Sequence, residues 1–231
     1  MKIVLINAST RKSGATAKML NEFYDNLLAK ENVEIKILNL SDLKINFCEG
    51  CCGCYKNGVC HIDDDAEMLS SLINNADGVI VGTPNYASNI SGQLKTFIDR
   101  GHFVIEQLMK DKYTIGIVTY ENAEGGVVAK ALKKLFIFSG AKSFDRIVVK
   151  LPFNTNPLEN PRIKSKIKSK SDKLYKAITN QNAPCLINTI INFVVFNFGI
   201  KPFVLKKGEK YRGVLEHWKK RNINFKINLT Y

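Results

Sequence analysis

Five short apolar runs alternate with segments of helical period, and that alternation restricts the chain to a parallel α/β sheet. The runs are Lys2–Ile6, Val33–Leu38, Gly78–Gly82, Thr114–Thr119 and Arg146–Leu151. The third is apolar throughout, as a parallel strand covered on both faces must be. Helical spacing is expected over about Ala15–Lys30, where Ala17, Leu20, Phe23, Tyr24 and Leu27 share a face, and over Asp64–Asn74, Ser91–Leu108 and Gly126–Ser139. Right-handed crossovers then give a doubly wound, five-stranded parallel sheet over residues 1–151.

Pro152, Pro157 and Pro161 open a C-terminal extension, residues 152–231, in which Ile163–Ile178 reads as a lysine-rich helix. From residue 150 onward there are 17 Lys and Arg against 4 Asp and Glu, an excess equal to the net +13 of the whole chain. Biased composition accounts for this as well as a basic surface for an acidic partner, an anionic membrane or an anionic cofactor does. Nucleic acid is not expected, because no recognition motif accompanies the charge. After Pro184, the stretch Cys185–Ile200 is apolar nearly all round a helix, with Asn188 and Asn192 on a thin polar stripe. It is too short to span a bilayer. It is expected to pack on the domain or a partner subunit with the lysines outward; a lid or an interfacial membrane contact are the alternatives. Trp218, ahead of Lys219-Lys220-Arg221, reads as an anchor or as packing. The N-terminal apolar run is too short for a signal peptide, so the expected compartment is the cytoplasm.

Five of the six cysteines lie between Cys48 and Cys60. Cys48, Cys51, Cys54 and Cys60 make a C-x2-C-x2-C-x5-C run in a loop over residues 47–63. Four closely spaced thiolates suit a [4Fe–4S] cluster. Zinc is the main competitor, although structural zinc sites usually pair two cysteine knuckles across a longer spacer. A disulfide knot does not fit a reducing compartment. Cys52 is a fifth thiol outside the pattern.

Three strand ends carry the remaining signals. The first strand runs into Ala8-Ser9-Thr10-Arg11-Lys12-Ser13-Gly14-Ala15-Thr16, a hydroxyl-rich turn before a helix, which suits a single terminal phosphate. Neither a P-loop lysine nor a G-x-G-x-x-G is present. The third strand ends in Thr83-Pro84-Asn85-Tyr86, followed by Ser91, where a flat ring can be flanked and hydrogen-bonded. Ser91 also reads as a helix cap. The fourth ends in Thr119-Tyr120, with Gly125 and Gly126 beyond, where backbone can approach a ring edge.

With these motifs, residues 1–150 resemble the flavodoxin-like family of NAD(P)H-dependent FMN reductases, and most of all its iron–sulfur flavoprotein branch. The family's phosphate loop is similar to Gly-Ser-Pro-Arg-x-x-Gly-Asn-Thr, with Ala15 here in place of Asn. The resemblance implies that Ser9, Arg11 and Thr16 hold the FMN phosphate. Thr83-Pro84-Asn85-Tyr86 and the segment Ser91 to Arg100 match the family's second motif almost residue for residue. The branch's cysteine pattern maps onto Cys48, Cys51, Cys54 and Cys60, followed by Asp63-Asp64. Beyond residue 150 the likeness reduces to Trp218-Lys219.

The expectation is therefore an FMN oxidoreductase with a [4Fe–4S] cluster, taking electrons from NAD(P)H or reduced ferredoxin, with an unassigned acceptor and a homo-oligomeric assembly. Its rivals are an NAD(P)H-dependent FMN or quinone reductase without a cluster, and an electron carrier that docks through its basic C-terminal region.

Overall fold

The structure, a computed structural model, describes residues 1–100 and 103–223. Strands β1 (Lys2–Asn7), β2 (Glu34–Asn39), β3 (Gly78–Pro84), β4 (Tyr113–Tyr120) and β5 (Ser143–Lys150) form one sheet in the order β2-β1-β3-β4-β5. All four pairings are parallel, and Asn7 is in register with both Asn39 and Gly82. The order reverses between β1 and β3, so a crevice is expected at the carboxyl ends of those strands.

Each face of the sheet is covered. Helix α1 (Ala15–Leu28) buries Met19, Leu20, Phe23 and Leu27 against Ile3, Leu5, Ile80 and Ile117. Helix α6 (Pro161–Thr179) joins that layer through Ile167, Leu174 and Ile178 and leaves Lys164, Lys166 and Lys168 in solvent. On the other face lie α3 (Asp65–Asn74), α4 (Gly92–Arg100) and α5 (Gly125–Phe138), whose Leu69, Ile73, Phe97, Leu132 and Phe136 meet Val4, Ile6, Val79 and Val81. Gly82 sets how closely α1 lies on the sheet: a Cβ there would stand 2.7 Å from Thr16 Cγ2 and 2.9 Å from Leu20 Cδ1.

The helix expected over Ser91–Leu108 is shorter. It ends at Arg100; residues 101–102 lie outside the described residues, and Phe103–Asp111 form turns. Phe103, Leu108 and Met109 are buried, which gives the stretch its helical apolar spacing. The backbone nevertheless turns left-handed at Gln107 (φ 56°) and Asp111 (φ 64°), and that conformation is incompatible with a continuing helix.

The extension departs further from expectation. Helix α7 (Leu186–Val194), a π-helical turn (Val195–Ile200), α8 (Lys201–Lys207), a 3₁₀ turn (Gly208–Tyr211) and α9 (Arg212–Lys220) follow one another without a break. This makes a run of 35 residues whose best 18-residue window averages 1.4 in hydropathy, long and apolar enough by composition to cross a bilayer. The run is nonetheless tied to the domain at its far end. Trp218 is fully buried with Phe196 and Val214, and its indole N–H donates to Ile105 O at 2.8 Å. Within the chain, α7 does not bury its apolar face against the sheet domain. Asn188 is buried and Asn192 donates to Ile137 O at 2.8 Å, while Ile187, Ile190 and Phe193 face out.

Candidate functional site

The carboxyl ends of β1, β3, β4 and β5 surround a cleft of about 370 Å³, a size usual for cofactor sites. Its floor is the β1–α1 turn. Asn7 is buried, donates to Asn39 Oδ1 at 2.9 Å and accepts from Ser9 N at 3.1 Å. Ser9 Oγ accepts from Arg11 N at 3.2 Å. These contacts curl the turn so that Ser9, Arg11, Gly14, Ala15 and Thr16 line the cleft. No side chain caps α1 at Gly14, and no acidic residue stands in its first turn. Unsatisfied N–H groups and the positive helix end therefore face the cleft, which favours a phosphate.

Arg11 is held from the opposite wall. Its guanidinium stacks 4.4 Å from the Phe153 ring centroid and donates to Asn154 Oδ1. Thr16 Oγ1 lies 2.7 Å from Thr119 Oγ1, a buried link from α1 to β4. Pro84, Asn85 and Tyr86 form a second wall with Tyr120 to Ala123. Asn85 Nδ2 donates to Ala123 O at 2.7 Å, and its buried Oδ1 has no partner among the described residues. A buried orphan acceptor is costly, and Asn85 lines the cleft, so a ring N–H bound there would relieve that cost if the side chain turns to meet it. A phosphate end, aromatic walls and an unsatisfied amide acceptor in the lining residue Asn85 fit FMN.

The structure separates other sequence candidates from this cleft. Ser13 is exposed outside the lining. Thr83 and Ser91 are fully buried behind it: Thr83 Oγ1 accepts from Ser91 N at 3.0 Å, and Ser91 Oγ accepts from Leu94 N at 3.3 Å as a helix cap. Gly125 packs under Tyr120, where a Cβ would meet Tyr120 Cδ1 at 2.3 Å, and neither Gly125 nor Gly126 lines the cleft. Conversely, sequence reading missed Leu151 to Asn154. Their position directly beyond β5, on the ligand-binding edge, was the available signal.

The cysteine loop lies apart, between β2 and α3. Cys48, Cys51 and Cys52 are exposed and Cys54 and Cys60 half-buried. Helix α2 (Gly53–Asn57) carries Cys54. Four thiols on one short loop suit a four-thiolate group in type and number. Their positions do not yet do so: among the described residues no three His, Cys, Asp or Glu side chains form a metal-holding group. Cys51 Sγ instead meets His61 Nδ1 at 3.6 Å, and His61 Nε2 meets Glu49 Oε2 at 3.1 Å.

The loop is fixed at two points. Arg100 grips Asp64 at 2.7 and 3.1 Å and donates to Asn46 O and Ile62 O on either side of the cysteines. Asp64 also caps α3 through Ala66 N. Burial pushes the Asp64 carboxyl up, but the Arg100 guanidinium and the N–H groups of Asn46 and Ala66 outweigh it and hold the group at about 2. The second anchor is the C-terminal extension. Tyr211 stacks on Tyr55 at 4.8 Å, and burial, then the neighbouring Cys54, push Tyr55 up to about 12. A Cβ on Gly213 would stand 2.2 Å from Gly58 N, so α9 touches the loop backbone directly. Gly213→Ala is expected to cost about 1–3 kcal/mol, since backbone rather than a flexible side chain must give way. An unchanged urea midpoint would show that this contact does not seat the loop.

Residues 1–155 match the family model described as NADPH-dependent FMN reductase. Over 225 residues the chain is 35% identical to an iron-sulfur flavoprotein of Clostridioides difficile (strain 630), covering 96% of this chain and 100% of that protein. An iron-sulfur flavoprotein of Archaeoglobus fulgidus is 39% identical over 124 residues, 52% of this chain and 54% of that one. An FMN-dependent NADH-azoreductase of Bacillus anthracis, solved with FMN, superposes with a TM-score of 0.58 over 75% of this chain and 99% of its own. At 18% identity, that likeness speaks for the fold alone. Sequence match across both the flavin cleft and the cysteine loop places this chain in the NADPH-dependent FMN reductase family, in its iron–sulfur flavoprotein branch.

Proposed function

We propose that this FMN oxidoreductase moves electrons from NAD(P)H or reduced ferredoxin to an acceptor protein or small molecule, in the cytoplasm, using a [4Fe–4S] cluster on Cys48, Cys51, Cys54 and Cys60 in addition to its flavin. The observation that carries this reading is one chain holding both a phosphate-ended aromatic cleft and a four-thiol loop anchored at each end. FMN takes up two electrons together and releases them singly, and a cluster carries one at a time, so the pair joins two-electron to one-electron chemistry. The chain's own residues bind and orient. The α1 N–H groups and Arg11 would offset the phosphate charge, and Asn85 would offer its unpartnered Oδ1 to the ring. Arg100 and α9 hold the thiol loop at its base.

The test is iron, acid-labile sulfide and FMN content of protein purified and reconstituted without oxygen. Cys48→Ser, Cys51→Ser, Cys54→Ser and Cys60→Ser should each lower bound iron and leave FMN in place, whereas Cys52→Ser should lower neither. Reconstituted wild type without iron would end the cluster reading. A requirement for Cys52 but not Cys54 would change the ligand set.

The separated thiols favour a second reading, a reductase of FMN or quinones without a cluster. Full NAD(P)H-dependent turnover by iron-free protein, with no gain on reconstitution, would select it.

A further inference from the structure

The helical run after Pro184 is amphipathic in the reverse sense. In its first part, helix α7, Asn188 and Asn192 face the domain while Leu186, Ile187, Ile190 and Phe193 face water; Phe196, Ile200 and Val204 further on are buried. Ile187 is 64% exposed, Phe193 57% and Phe198 75%. Among the described residues, nine of the sixteen exposed large hydrophobics lie between Leu186 and Leu205, so this is one patch rather than scattered surface residues.

The surrounding charge identifies what covers it. From Leu186 to Ile200 there is no charged residue. Helix α5, on which α7 packs, exposes Lys130, Lys133 and Lys134; the end of α8 exposes Lys206 and Lys207, and the 3₁₀ turn after it Lys210. A second copy of the chain would bring the same lysines to the contact. An anionic lipid surface instead satisfies both features: acyl chains take the apolar stripe and phosphate headgroups take the lysines. On such a surface the run would lie in the plane rather than cross it. Lys201 is buried within it, and Trp218 and Arg221 donate to Ile105 O and Glu106 O of the domain.

We propose that the outward stripe of Leu186–Phe198 seats this flavoprotein peripherally on an anionic lipid surface. The FMN-loaded full chain should sediment with vesicles of phosphatidylcholine mixed with phosphatidylglycerol, at least about tenfold more tightly than with phosphatidylcholine alone, and should be released by salt. A variant combining Ile187→Ser, Ile190→Ser and Phe198→Ser should lose about tenfold or more of that binding while keeping FMN and its circular dichroism. The idea is overturned if wild type ignores anionic vesicles, or if the triple variant binds them as wild type does. It is equally overturned if the variant's only change is a lower subunit count in sedimentation velocity, which would assign the stripe to a second copy.

Discussion

Arg100→Met should destabilise the protein by about 3–5 kcal/mol, the usual consequence of leaving one buried charge of a pair unmatched. The side chains of Arg100 and Asp64 are 2% and 0% exposed, so water cannot replace the lost guanidinium. The loss extends beyond one ion pair. Arg100 also holds Asn46 O and Ile62 O, and Asp64 orients Asn46 N and the first turn of α3. The two carbonyls flank the cysteines, so the variant should also lose iron if the loop carries it, while FMN in its separate cleft stays bound. The pH dependence has a defined sign. Asp64 titrates below its ordinary value, so its contribution is fully present above about pH 4 and is lost as the pH falls through about 2. Urea unfolding at neutral pH and at stepped pH values through that window measures both effects. A variant within about 1 kcal/mol of wild type, or one whose acid sensitivity matches wild type, would show that the bridge is not what holds the loop base.

The strands were legible because each is a contiguous apolar run whose neighbours in the sheet are fixed by the rules for parallel crossovers. The phosphate turn was legible because its signal is local: strand, hydroxyls, glycine, helix. Where sequence reading failed, the determining contact joins residues far apart in the chain. Nothing near Gly58 announces that Gly213 will touch it, and nothing near Arg11 announces Phe153 and Asn154. Pro152 and Pro157 read as the opening of the C-terminal extension, yet Phe153 and Asn154 between them complete the cleft. Ser91 was ambiguous for a related reason, since a serine before a helix serves equally as a cap or a ligand, and only its burial decides. At α7 the side that meets the domain is the polar one, where Ile137 O accepts from Asn192. Periodicity reports that a helix has two faces; it does not report which one meets the core.

Ser9→Ala combined with Arg11→Ala should weaken FMN binding by about 2–4 kcal/mol, roughly 30- to 700-fold in Kd, because one hydroxyl contact and one charge-assisted contact to the phosphate are removed together. The two substitutions act on one loop. Ser9 Oγ accepts the Arg11 N–H, and Phe153 and Asn154 hold the Arg11 side chain across the mouth of the cleft. Coupling within the pair is therefore expected, with the double variant not equal to the sum of the singles. Riboflavin separates the phosphate site from the ring site, since it carries the same ring without the phosphate. Titrating apoprotein with FMN and with riboflavin, followed by quenching of flavin fluorescence, should show the FMN preference of wild type collapse in the double variant while riboflavin affinity stays put. Asn85→Leu should do the reverse and weaken both ligands alike, because Asn85 lies on the wall beyond β3 rather than on the phosphate turn, and its orphan Oδ1 is an acceptor that a ring N–H can satisfy. If FMN affinity survives the double substitution, or if riboflavin falls in step with FMN, the turn after β1 is not where the phosphate sits.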